Sequence, residues 1–344
     1  MHRKKFLKSS GYAFAGLYLS SGLKNPLFRY QAGLPALLTD RLGNPITSLS
    51  GWIENRKIIA GRWSDFLGLL DPNPNPPKLN ILIEDRPDGL IRQFIEYQGE
   101  PGLTVNAYLL KPQNIINKLP SVVALHSTSD NQMKFIAGVE EGNIVALGYK
   151  LAQMGFVVIC PMCFLWCDKG DKTYEQQVVL FQQRHPKSKG MAKMLFDAQR
   201  AVDVLTNLEE VDNSRIGAMG HSLGGKEAFY LGAFDERVKV IVSNEGGIGI
   251  DFSNWDDPWY LGKEIHSFNH QHHEVLGLCA PKPFLLIGGD SADGEKSIPY
   301  IEAVLPVYNL YGMPKNIELF NHDQGHNIAP IAEKRTYEWM VNNL

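Results

Sequence analysis

Cysteine is scarce, and its placement excludes a disulfide scaffold. Only four occur in 344 residues. Cys160, Cys163 and Cys167 cluster and Cys279 stands far off, whereas a zinc ribbon needs two separated Cys-x-x-Cys pairs. Buried thiols or one disulfide are therefore expected rather than a metal site. Dense basic runs are missing from the body of the chain and the formal net charge is −3, which leaves nothing to attract nucleic acid. No internal repeat is visible, and no low-complexity tract other than Asp71-Pro-Asn-Pro-Asn-Pro-Pro77. Apolar runs of about 20 residues, the length needed to span a bilayer, are absent as well.

The longest apolar stretch is amino-terminal. His2-Arg-Lys-Lys-Phe-Leu-Lys8 is basic, Gly11 to Leu23 is mostly apolar, and Ser20-Ser-Gly22 supplies small residues for cleavage. That order predicts an export signal over 1–23, after whose removal no stable membrane span is expected. Arg3 to Lys8 resembles the twin-arginine export motif, with Lys4 in place of the second arginine. The expected location is periplasmic or extracellular, with an uncleaved anchor or an amphipathic terminal helix as alternatives.

With 44% hydrophobic and 21% charged residues, the chain can bury a large core. Trp52, Ile53, Ile58, Ile59, Trp63, Phe66 and Leu67 recur at helical spacing, which predicts an amphipathic helix in an extension over 24–78 that ends at the proline-rich linker. From 79 to 344 the pattern alternates. Stretches 92–97 and 104–110 read as an antiparallel pair; 122–126, 156–160, 216–219, 238–243, 283–287 and 317–320 are short and apolar, as buried parallel strands are. Helical spacing falls between them, as crossovers require. Eight strands, mostly parallel, with helices on both faces make an α/β fold whose site lies beyond the carboxyl ends of the strands. Segments 164–189 and 251–271 fit no crossover, and they are expected to wall that site.

Arg215 to Lys226 carries the chemistry. A short apolar strand runs into Gly220-His221-Ser222-Leu223-Gly224, and a helical stretch follows. G-x-S-x-G between strand and helix puts a serine hydroxyl on a sharp turn, clear of the backbone, with the next amide facing an oxyanion. Serine needs a base, and a base needs an orienting carboxylate. His326, in the loop after the last strand, is the predicted base; His322, nearer the strand end, reads as structural. For the acid, Asp293 ranks first, Glu245 second and Asp290 third. The amide of Leu223 and that of Thr128, with Ser127 as a rival, are the candidate oxyanion donors. Lys226, His126 and Trp166 are candidates for touching substrate. His266, His270, His272, His273 and Glu274 crowd together without a His-Glu-x-x-His motif, so packing or capping is expected of them rather than metal binding.

The element order from about Gly89 and the Gly-His ending resemble the α/β-hydrolase superfamily, and the local motifs resemble its dienelactone hydrolase and acetyl xylan esterase branch. A narrower likeness is to glucuronoyl esterases. Gly225-Lys226 and Glu245 stand where that family has a Gly-Lys after the serine and a glutamate acid, and His273 to Pro283 resembles its helix into the next strand. That family places arginine directly after the nucleophile; Leu223 stands here. The resemblance implies a serine esterase acting on a carbohydrate ester without a cofactor. A prolyl oligopeptidase-like peptidase and a non-catalytic carbohydrate-binding member of the fold are the alternatives, the first weakened by an amino-terminal segment too short for a propeller.

Overall fold

The computed structural model describes residues 33–129, 133–140, 145–167 and 170–344. The expected export signal over 1–23 lies outside the described residues. Leu34–Leu344 forms one compact unit.

One nine-stranded sheet organises it. The strands are β1 (Leu79–Asp85), β2 (Leu90–Gln98), β3 (Thr104–Pro112), β4 (Leu119–Leu125), β5 (Val157–Pro161), β6 (Val211–His221), β7 (Val238–Asn244), β8 (Phe284–Gly288) and β9 (Ile317–Asn321). Their spatial order is β1-β2-β3-β5-β4-β6-β7-β8-β9. The pairs β1–β2, β2–β3 and β3–β5 are antiparallel, and every later pair is parallel. Nine strands replace the expected eight because β1 escapes a burial-based reading. It is an edge strand whose Ile81, Leu82 and Ile83 stay exposed, so its apolar residues do not alternate.

Both faces of the sheet are covered, as short uniformly apolar strands require. One face packs against the helices Leu49–Leu67, Gly190–Thr206, Leu223–Phe234, His273–Cys279 and Ile298–Leu310; the other packs against Leu147–Gln153 and Pro330–Asn343. Among the described residues no helix is long and apolar enough to cross a membrane.

The helix Leu49–Leu67 follows from its tryptophan spacing and starts on Ser48, whose side chain accepts the Gly51 amide. It buries Trp52 and Trp63 completely in the main core. Trp63 donates its indole N–H to Glu274 at 2.8 Å, and Arg62 pairs with the same carboxylate at 2.9 Å. The proline-rich stretch behind it is held by Arg200, which donates to the carbonyls of Asn73 at 3.2 Å and Asn75 at 3.0 Å. Prolines have no amide to offer, so their neighbours' carbonyls need such an outside donor.

Candidate active site

β6 ends at His221 and the helix Leu223–Phe234 begins two residues later, leaving Ser222 alone between them. Ser222 sits at φ 57° and ψ −119°, a region that costs a non-glycine residue about 1–3 kcal/mol. Two glycines let the turn close. A Cβ on Gly220 would lie 2.2 Å from the carbonyl of Gly224, and one on Gly224 would lie 2.1 Å from the carbonyl oxygen of Leu125. The second contact also shows that the start of the elbow helix packs directly on the end of β4. The Ser222 amide donates to Asn244 O at 2.9 Å, which pins the elbow to β7.

His326 leaves the loop after β9 and meets the serine: its Nε2 is 3.0 Å from Ser222 Oγ. Its Nδ1 is 2.9 Å from Glu245 Oε2. Glu245, just past β7, has a fully buried side chain. Burial by itself would raise its pKa, but the hydrogen bonds from His326 and from the amides of Gly289 and Ala292 outweigh it and hold the carboxyl below its ordinary range. Glu245 is therefore a charged, oriented acceptor.

The acid ranked first from the sequence is elsewhere. Asp293 is completely buried and accepts the amides of Gly247 at 2.5 Å and Ile248 at 2.8 Å, together with the Ser297 hydroxyl at 2.8 Å. Those contacts occupy both oxygens, and none reaches His326. Burial, with the nearby Glu245 charge adding to it, raises the Asp293 pKa. The two carboxylates brace each other's loops: Glu245 takes the amides of Gly289, Ala292 and Asp293, and Asp293 takes those of Gly247 and Ile248, two and three residues after Glu245. Asp290 accepts from the Glu295 amide at 3.1 Å and from the Asn321 side chain at 2.7 Å.

Two of the candidate substrate contacts are committed to the protein itself. His126 is buried, donates from Nδ1 to Ser127 O at 2.8 Å and accepts the Cys163 amide at Nε2, 3.0 Å away. Burial depresses its pKa to about 4, so the ring is neutral and both nitrogens are occupied. Lys226 is 4% exposed and donates to Gly246 O at 2.6 Å and Ser253 Oγ at 2.7 Å, with its ammonium 4.1 Å from the centre of the Trp255 ring. Burial lowers it to about 7. These two residues build the site's frame rather than its surface, against the expectation from sequence.

Trp166 is also buried, packed on His126 and on Tyr174, whose ring in turn meets Trp259 at 5.8 Å between centres. The two segments expected to be walls thus touch each other through aromatic rings. Thr128 is exposed in the loop after β4, and Leu223 is the first residue of the elbow helix, where an amide has no acceptor within its own helix. His322 accepts the Gln324 amide at Nδ1. The histidine cluster is dispersed over separate partners: His266 on Asp256, His270 on Glu274, His272 between Tyr230 and Ile248 O, and His273 on Pro35 O. Among the described residues no group of side chains is arranged to hold a metal. None of the four cysteines is in a disulfide.

A family model described as the dienelactone hydrolase family matches residues 105–257. The sheet topology, elbow and loop positions are those of the α/β-hydrolase fold. Over residues 105–257 the chain is similar to the dienelactone hydrolase family, and its fold is the α/β-hydrolase fold. It is 25% identical over 331 residues to a 4-O-methyl-glucuronoyl methylesterase of Phanerochaete carnosa, covering 84% of this chain and 75% of that one. A glucuronoyl esterase from Teredinibacter turnerae superposes with a TM-score of 0.72 at 19% identity, covering 90% of this chain and 89% of the other. One from Solibacter usitatus gives 0.72 at 16% identity, with 91% and 98% covered.

Sequence reasoning passed over His221. Its only sequence signal is its place inside the elbow, which says nothing of its partners; the structure sets it between Ser127 Oγ at 2.8 Å and His326 O at 2.6 Å.

Proposed function

We propose that this protein is an exported serine esterase that cleaves an acyl or uronoyl ester of a carbohydrate, with Ser222 as nucleophile, His326 as base and Glu245 as the orienting acid. The observation that carries the reading is the unbroken line Ser222 Oγ, His326 Nε2, His326 Nδ1, Glu245 Oε2, with contacts of 3.0 and 2.9 Å. Ser222 Oγ attacks the ester carbonyl carbon while its proton passes to His326 Nε2. The oxyanion so formed is held by the amide of Leu223 and that of Thr128. Collapse expels the alcohol, which takes the proton from His326 and leaves an acyl-serine. Water then attacks under the same base, releasing the acid and restoring Ser222. Glu245 keeps the Nδ1–H tautomer and stabilises the imidazolium formed in each half. No step calls for a cofactor.

The carbohydrate assignment is supported by the names of the relatives, a 4-O-methyl-glucuronoyl methylesterase and glucuronoyl esterases. Leu223 in the position of the arginine that resemblance would put there leaves backbone amides as the oxyanion donors. Export is supported by the basic-then-apolar order of residues 2–23. The test is initial-rate hydrolysis of glucuronate methyl, acetyl, feruloyl and peptide substrates. Turnover of carbohydrate esters with none on peptides is expected; peptide cleavage as the fastest reaction would overturn the reading.

A further inference from the structure

His221 occupies the variable position before the nucleophile, yet its ring has two committed partners. A carbonyl can only accept, so the 2.6 Å contact with His326 O fixes the proton on His221 Nε2. A neutral ring then accepts at Nδ1, and the Ser127 hydroxyl donates to it across 2.8 Å. Burial depresses the His221 pKa to about 4, opposed by the hydrogen bond to His326 O and by Glu245 and helped by the facing His326 and His322 rings, so the neutral tautomer persists through the neutral range. Its ring centre is 4.9 Å from that of His326. A neutral ring there adds no charge against the imidazolium that His326 becomes during turnover.

These contacts join three separate pieces of chain. Ser127 belongs to the loop after β4, His221 to the elbow and His326 to the loop after β9. Ser127 is also gripped from its other side, because His126 donates to its carbonyl oxygen. We propose that His221 is a positioning residue for ester hydrolysis: it ties the backbone carrying the base to the oxyanion-side loop, so that His326 and the 127–128 amides keep one fixed placement about Ser222. This rests on the triad reading above.

The placement matters because a misplacement of about 1 Å at a reacting group costs on the order of 10²-fold in rate. Ground-state binding does not depend on it, so the loss falls on kcat and not on KM. The experiment measures kcat and KM for His221→Ala, Ser127→Ala, the double variant and Ser127→Thr on one chromogenic ester. Active-site titration with a fluorophosphonate normalises each to its folded, reactive fraction. Each single alanine variant is expected to lose on the order of 10- to 100-fold in kcat with KM changed less than about threefold. The double variant should lose no more than the worse single one, because both remove the same tie. Ser127→Thr, which keeps the hydroxyl, should recover most of the loss. A Ser127→Ala enzyme with wild-type kcat, or losses that multiply in the double variant, would overturn the proposal. Should His221→Ala fail to fold, Ser127→Ala and Ser127→Thr decide it alone, since Ser127 lies in a half-exposed loop. Failure of the triad reading is distinguishable: the wild type itself would then not be titrated at Ser222.

Discussion

Replacing Glu245 by glutamine removes one charge from the site while keeping the size of the side chain. The side chain is fully buried and its Oε2 lies 2.9 Å from His326 Nδ1. When His326 takes the serine proton, opposite charges face each other with centres about 4 Å apart. At an effective dielectric of about 20 the attraction is roughly 4 kcal/mol. At about 1.4 kcal/mol per factor of ten, its loss should lower kcat by about 10³-fold. Glutamine also presents an amide N–H₂ toward the ring or toward the donors of the 289–293 loop, which works against the Nδ1–H tautomer. Asp293→Asn is the control. Its carboxylate accepts the Gly247 and Ile248 amides without touching His326, so the change should cost about 1–3 kcal/mol of stability and less than about tenfold in kcat. The assay is steady-state hydrolysis of an activated acetate ester, paired with thermal melts of both variants. If Asp293→Asn lost 10³-fold while Glu245→Gln stayed within about tenfold of wild type, the assignment of the acid would be wrong.

Two further expectations concern pH. Lys226 is held at about 7 by burial, against about 10.4 when unfolded, so the unfolded chain binds more protons in between. Stability should therefore rise with pH across that window, and Lys226→Met should flatten the rise; urea melts at several pH values that show equal slopes would contradict this. Glu100 is pushed up by its own burial but drawn down to about 2 by Arg184, Lys193 and His185. Its stabilisation is complete above about 4.3 and fades as pH falls toward about 2, so Glu100→Gln should lower stability at neutral pH and flatten the acid limb. An unchanged acid limb in the variant would refute it.

The elbow was readable because strand, glycines and helix each leave a local mark, and the nearness of His326 to Ser222, 3.0 Å between Nε2 and Oγ, because the loop after the last strand is where a partner for the serine is sought. The fold class followed from apolar runs that only a doubly covered sheet explains. What escaped was whatever depends on depth. Asp293 and Glu245 both leave strand ends on the same face, and nothing local records that one turns its carboxylate onto loop amides while the other turns toward the histidine. Lys226 and His126 carry the right chemistry for substrate contact, but backbone carbonyls and amides at Gly246, Ser127 and Cys163 claim their polar atoms. β1 was missed because an edge strand need not bury its isoleucines.

The nucleophile is the central claim, and covalent labelling tests it most directly. A fluorophosphonate probe followed by peptide mapping should place the adduct on Ser222 in the wild type, with none on Ser222→Ala. Equal labelling of both proteins, or an adduct mapped to any other residue, would contradict the account.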